Sequence, residues 1–205
     1  VIATGSGPIE IPGFAFDEEK VLSSTGALAL AEVPGRVCVI GGGYIGLEIG
    51  MMLRHLGSEV TVVEMTDTLL PGTEPQLVKV VARSAKKQKI EVHTKSKALG
   101  WEEKDGSLVV RVETPKGELE VPCDKILLTV GRRPNTEGIG LEDVGVKLDD
   151  HGFVETDASL RTSVPGVYAI GDLAGQPMLA HKASKEGLIA AEAVCGRPSV
   201  RDWRC

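Results

Sequence analysis

The chain has 205 residues, with 23 Lys and Arg against 29 Asp and Glu, for a formal net charge of −6. Hydrophobic residues make up 42% and charged residues 25%, an ordinary globular composition that excludes whole-chain disorder. The acidic balance argues against a nucleic-acid-binding face, and no apolar run reaches the ~20 residues a membrane-spanning helix needs. The opening VIATGSGPIE has no basic stretch and no long apolar run, so it does not read as a signal peptide.

In chain order, Val1 to Gly5 reads as the end of a strand running into a glycine turn. A strand needs neighbours, so the chain looks cut from something larger. A polar, proline-bearing stretch follows to about Pro34. Arg36 to Ile40 is the short apolar run of a buried parallel strand. Gly41-Gly42-Gly43 follows. Ile45, Leu47, Ile49, Met52, Leu53 and Leu56 then carry a helical stripe that ends at Gly57, a C-capping residue. Glu59 to Val63 is a second β-branched strand, closed by Glu64. Pro71-Gly72 is a break. Leu77, Val80, Val81 and Ala85 mark a second helix, whose basic end at 86–89 suits the helix dipole. Ile90 to Val92 is a third strand. Residues 98–122 alternate, with turn signals at Gly106 and Lys116-Gly117, and predict an antiparallel meander. Lys125 to Val130 is again a buried strand. Val167 to Ile170 is predicted as a strand before Gly171-Asp172, and a helix is predicted from about Ala180 to Cys195.

The chain carries 25 glycines and only 3% aromatics. That balance suits an α/β protein whose backbone approaches phosphates and whose helices lie close on strands. The cysteines are Cys38, Cys123, Cys195 and Cys205. No C-x-x-C occurs, so neither metal-ligand spacing nor a short redox pair is present. They read as reduced structural thiols of a cytoplasmic protein. His55, His93 and His151 are isolated and read as surface residues.

Gly41-x-Gly43-x-x-Gly46 follows a predicted strand and opens a predicted helix. Glu64 ends the next strand, 18 positions past Gly46. This is the full context of a Rossmann dinucleotide fingerprint. Gly41 permits the tight turn, Gly43 lets backbone approach a pyrophosphate, and Gly46 allows close helix–strand packing. The phosphates would rest on the helix N-terminus. Glu64 would accept hydrogen bonds from ribose hydroxyls and repel a 2′-phosphate, and Met65 and Thr66 supply no cation to reverse that. NAD is therefore expected rather than NADP. Tyr44 and Glu48 lie where a nicotinamide could sit, although each could equally be a packing or solvent-facing residue.

GGGYIGLEIG, VTVVE, TVGRRPN, TSVPGVYAIGD and MLAHKASKEG occur in that order. The set resembles the two-dinucleotide flavoprotein disulfide reductases, over essentially the whole chain. The resemblance implies an NAD loop at Gly41, Gly42, Gly43, Tyr44, Ile45, Gly46, Leu47 and Glu48. It implies a ribose-binding acid at Glu64 and NAD contacts at Gly131 and Ser96. Ser96 departs from the valine often found there. It implies FAD contacts at Thr4, Gly5 and Ser6, a ribityl-binding acid at Asp172, and a flavin-facing segment at Met178, Leu179, Ala180 and His181. His181 would act through its backbone, with a side-chain catalytic role as the alternative.

On this reading the fold is α/β: a Rossmann-like NAD-binding domain with a parallel sheet and an antiparallel meander, and the trailing part of a FAD-binding domain. Residues 1–20 would be the end of a FAD-domain strand and a crossover, 21–131 the NAD domain, and 132–205 the remainder of the FAD and central region. The family's C-x4-C disulfide, its N-terminal FAD glycine motif and its C-terminal His-Glu pair do not occur in this sequence. No catalytic residue is assigned to the chain, and it is expected to bind NAD(H) without full catalysis. The resemblance implies a homodimeric parent that takes electrons from dihydrolipoyl groups on acyl-carrier subunits of 2-oxo acid dehydrogenase complexes. A sister flavoprotein, such as a mercuric reductase, an NADH oxidase or a glutathione reductase-like enzyme, is an alternative. A non-catalytic NAD-sensing module is another.

Overall fold

The structure is a computed structural model and describes residues 1–202, so Cys205 lies outside the described residues. In chain order the elements are β1 (Ser6–Pro8), β2 (Val21–Leu22), α1 (Ser24–Leu28), β3 (Arg36–Ile40), α2 (Tyr44–Leu56), β4 (Glu59–Val63), α3 (Pro75–Lys87), β5 (Glu91–His93), β6 (Lys97–Lys104), β7 (Ser107–Thr114), β8 (Gly117–Cys123), β9 (Lys125–Leu128), β10 (Arg132–Pro134), a 3₁₀ turn at Gly171–Ala174, and α4 (Ala180–Val194). The chain forms two compact units. One is Pro8–Gly131. The other joins Val1–Gly7 to the chain from Arg132 onward.

In the unit Pro8–Gly131, five parallel strands lie in the order β2-β9-β3-β4-β5. The side-chain period of two explains why these strands read as unbroken apolar runs. Val37, Val39, Val60, Val62 and Leu127 pack on the face covered by Leu47 and Leu53 of α2 and Val78 and Ala85 of α3. Cys38, Ile40, Val63, Ile126 and Leu128 point the other way, against Val110, Val112, Val121 and Cys123 of the meander. Each fully buried Val, Leu or Ile on either face stabilises the fold by about 1.5–3 kcal/mol.

Local signals position these layers. Gly57 takes φ +117° and its N–H donates to Arg54 O at 3.2 Å, which stops α2. Pro75 sits in the first turn of α3, and Lys86 and Lys87 in its last. The β6–β7 turn uses Asp105 at φ +51° and Gly106 at φ +77°, the two left-handed positions of a type I′ hairpin.

The segment before Pro34 is more ordered than its polarity suggests. Phe14 is fully buried under the meander. Asp17 Oδ1 accepts N–H bonds from Glu19, Lys20 and Val21 at 2.7–2.9 Å, which steers the chain into β2. Ser23 then caps α1 through Thr25 and Gly26. Residues 8–20 therefore fold with this unit. A two-residue strand and a five-residue helix are too short to show a period, which is why the sequence hides them.

The other unit is built around small clusters. Ile2, Leu141, Val146, Val154, Ala169 and Leu173 form one, and Leu160, Tyr168, Ile189, Ala190 and Ala193 another. Strand β1 pairs with β10. Two expected strands are corrected here. Val1–Gly5 contributes only a parallel bridge from Ile2 to Ala169, and Val167–Ile170 only that bridge and one from Tyr168 to Arg161. Tyr168 and Ala169 are buried and Ile2, Val167 and Ile170 half-buried, but the sheet ladder around them is not continuous.

Candidate functional site

Gly41 leaves β3 at φ +107°, and its N–H donates to Val63 O at 2.9 Å. A Cβ at Gly41 would stand 2.4 Å from Thr129 O, so the turn runs against the end of β9. A Cβ at Gly46 would stand 2.2 Å from Gly41 O, 2.5 Å from Thr129 Oγ1 and 3.0 Å from Val39 Cγ1. That is the close helix–strand approach the fingerprint demands. At Gly43 a Cβ would meet nothing within 4 Å. Gly43 is also the N-cap of α2, and no side chain caps that end. The uncapped N-terminus of α2 thus has open space beside Gly43, and an uncapped helix N-terminus is an arrangement that can receive an anion.

Glu64 is 6% exposed. Its Oε2 accepts the Gly42 N–H at 2.6 Å and its Oε1 the Thr66 N–H at 2.7 Å. The carboxylate at the end of β4 is thereby fixed against the glycine loop. Ser96 is buried beside it: its N–H donates to Glu64 O at 2.9 Å, and its hydroxyl to Thr94 O at 2.9 Å. Gly42, Glu64 and Ser96 therefore meet. Ile45 is half-buried and Leu47 buried against the sheet, whereas Tyr44 and Glu48 are exposed on the outer side of the helix start. Gly131 takes φ +140° and its O accepts the Ile9 N–H at 3.1 Å.

Two contributors escaped the sequence reading. Leu70 N–H donates to Gly42 O at 2.9 Å, and a Cβ at Gly42 would stand 2.7 Å from Leu69 Cδ2, so the segment after Glu64 closes over the loop. Thr129 Oγ1 donates to the carbonyls of Ile40 and Gly41 at 3.3 and 3.2 Å. A hydroxyl residue one place before Val130-Gly131 was the available signal. His93 is corrected: it is half-buried on β5, with Nε2 3.0 Å from Glu91 Oε1.

In the other unit, Ser6 Oγ donates to Asp172 Oδ2 at 2.6 Å, and Arg132 Nε donates to Ser6 Oγ at 2.7 Å. Thr4 and Asn135 exchange bonds, Thr4 Oγ1 to Asn135 O at 2.7 Å and Asn135 Nδ2 to Thr4 O at 2.9 Å. Gly5 takes φ +73° and its O accepts the Asn135 N–H. Asp172 lies in the 3₁₀ turn. Leu179 is the N-cap of α4, with no side-chain cap. Met178 leads into it, and Ala180 and His181 are exposed in its first turn.

The thiols carry no redox pair among the described residues. Cys38 and Cys123 are buried and free, and Cys195 is exposed. Burial pushes the Cys123 thiol up to about 12 and Cys38 well above its ordinary value, which makes both inert packing groups. The exposure of Cys195 departs from the structural role expected of it.

A glycine turn, a buried acid just after β4 and an uncapped helix N-terminus thus lie together in this unit. The family described as pyridine nucleotide-disulphide oxidoreductase matches residues 1–187. The chain belongs to that family. It is similar to the dihydrolipoyl dehydrogenase of Bacillus subtilis (strain 168), 50% identical over 204 residues, which are 99% of this chain and 43% of that protein. The dihydrolipoyl dehydrogenase of Geobacillus stearothermophilus is 46% identical over 203 residues, again 99% of this chain and 43% of that protein. Among solved structures, LpdA from Mycobacterium tuberculosis superposes with a TM-score of 0.89 at 30% identity, covering 98% of this chain and 44% of that one. The chain thus spans less than half the length of the relatives it matches. Dihydrolipoyl dehydrogenases use FAD and NAD. No helix among the described residues is long and apolar enough to cross a membrane.

Proposed function

We propose that this chain is the NAD-binding portion, with part of the FAD-binding portion, of a cytoplasmic dihydrolipoyl dehydrogenase. The parent would be a homodimer that oxidises dihydrolipoyl groups on the acyl-carrier subunits of 2-oxo acid dehydrogenase complexes and reduces NAD⁺. FAD, when bound, relays the two electrons between a dithiol and the nicotinamide. The carrying observation is the buried Glu64 carboxylate, fixed by the Gly42 and Thr66 N–H groups beside an open helix N-terminus.

Each residue has a physical task. Gly43 and the first turn of α2 would take the pyrophosphate charge. Glu64 would accept the ribose hydroxyls and repel a 2′-phosphate. Gly46 keeps the helix close enough for the turn to form. Tyr44 and Glu48, exposed at the start of α2, would border the nicotinamide. Ser96 and Gly131 would line the nucleotide through backbone groups. In the other unit, Asp172, supported by Ser6, would accept ribityl hydroxyls. Thr4 and Gly5 would approach the flavin, and Met178 to His181 would present backbone N–H groups to it. The sequence has no C-x4-C pair, so the chain would bind NAD(H) without oxidising a dithiol.

The test is a calorimetric titration of the chain with NADH and with NADPH. NADH should bind at least about tenfold more tightly, a difference of about 1.4 kcal/mol. Equal affinities would overturn the role given to Glu64. Lipoamide-dependent NADH formation by this chain alone would overturn the proposed division of labour.

A further inference from the structure

Two charged side chains of α4 lie in the interior. Lys182 is 5% exposed and Glu186 is 1% exposed. Such residues are almost never fully buried unless paired, and these two stand one helical turn apart, with Lys182 Nζ 3.6 Å from Glu186 Oε2. That separation is long because each is drawn elsewhere. Lys182 Nζ donates to Gly171 O at 2.9 Å and to Gly175 O at 2.6 Å. Glu186 Oε2 accepts the Gly171 N–H at 2.7 Å, and its Oε1 faces Arg201 Nη1 at 3.5 Å.

Both backbone polar groups of Gly171 are therefore bonded to one buried ion pair. Gly171 itself takes φ +81°, a conformation that resists any side chain. Asp172 is the next residue, and Gly175 is the C-cap of the same turn. Burial pulls the Lys182 ammonium below its ordinary pKa, against the upward pull of Glu186. A buried pair of this kind is weak support for stability, because two well-packed apolar residues often do as well. What apolar residues would not supply is a donor for two carbonyls and an acceptor for one N–H.

We propose that Lys182 and Glu186 are positioning residues for the flavin: they lock the Gly171–Gly175 turn to α4, so that the Asp172 carboxylate and the N-terminus of α4 are held as one rigid element. This rests on the reading of Asp172 and Met178–His181 as FAD contacts. Ser6 holds the side chain of Asp172, and the ion pair holds the backbone on either side of it, at Gly171 and Gly175.

The experiment uses the full-length flavoprotein that carries this chain. Lys182→Met and Glu186→Leu should each raise the FAD dissociation constant of the reconstituted protein at least about tenfold. They should also change the fluorescence of bound flavin and leave NADH affinity within about twofold. Glu186→Gln keeps an oxygen for the Gly171 N–H and should stay within about threefold of wild type. Folded Lys182→Met protein with unaltered FAD affinity and flavin fluorescence overturns the inference, as does a loss in Glu186→Gln equal to that in Glu186→Leu. Failure of the unsubstituted protein to take up FAD overturns the underlying FAD reading instead, and this inference with it. If Lys182→Met does not fold, hydrogen exchange on the unsubstituted protein decides. The amides of 171–175 should exchange as slowly as those in the middle of α4, and exchange at the rate of the exposed 149–152 loop overturns the clamp.

Discussion

The glycine loop and the Asp172 turn are both tight backbone structures that hold an acid, yet they are built in opposite ways. The loop assembles from neighbours in sequence: a strand, a turn, a helix and the next strand, with Glu64 22 residues from the Gly42 N–H it accepts. The Asp172 turn is held by Ser6, 166 residues away, and by two charges buried in the following helix. Glycine does the shaping in the first, because backbone must pack on backbone. Polar side chains do it in the second, because the turn has carbonyls and N–H groups that no regular element satisfies.

The sharpest break in this comparison is Gly46→Val. Its Cβ would fall 2.2 Å from Gly41 O, where neither backbone can move without separating α2 from β3. It should cost at least about 3 kcal/mol, since overpacking alone costs about 1–3, and abolish NADH binding. Thermal melting and an NADH titration measure both. Next comes Glu64→Ala, which leaves the Gly42 and Thr66 N–H groups without their acceptor. NADH affinity should fall by about 1.5–3 kcal/mol and the discrimination against NADPH should shrink, as paired titrations would show. An unchanged NADH-to-NADPH ratio would mean that Glu64 serves only the loop.

Ser6→Ala tests the long-range half. It removes the Asp172 partner at 2.6 Å and should destabilise the protein by about 1 kcal/mol, read from a denaturant midpoint, with no effect on NADH affinity. The smallest expected effect is electrostatic. The hydrogen bond from Arg36 holds the Asp124 carboxyl below its ordinary range, with burial opposing it. The unfolded chain then takes up the proton first as pH falls. The stabilisation is complete near neutrality and is lost below about pH 4. Both side chains are more than a third exposed, so its size is below about 1 kcal/mol. Asp124→Asn should flatten the acid limb of a melting-temperature profile by that amount.

The parallel sheet, α2, α3, α4 and the meander were legible because each spans enough residues to show its period or its glycine punctuation. The short β2 and α1 were not, nor was the order of strands. The alternation of Val37 and Val39 with Cys38 and Ile40 says that two faces are buried, but not that helices take one and the meander the other. At the site, Gly41, Gly43, Gly46 and Glu64 could be read directly, since their spacing is itself the geometry. Thr129 could not, because it reaches the loop from the end of β9, nor could Leu69 and Leu70, which reach it from the irregular segment after β4.

By itself the sequence determined that a strand–turn–helix would form near Gly41, with an acid at the end of the following strand. Those requirements are local and steric, and few residue types meet them. Only the tertiary structure decided that Lys182 and Glu186 lie inside the fold and grip Gly171. Their charge alone would put them at the surface, although they share a helix face with the buried Ile189, Ala190 and Ala193. Their burial depends on a turn 11 to 15 residues earlier that offers the hydrogen bonds needed to offset the loss of water.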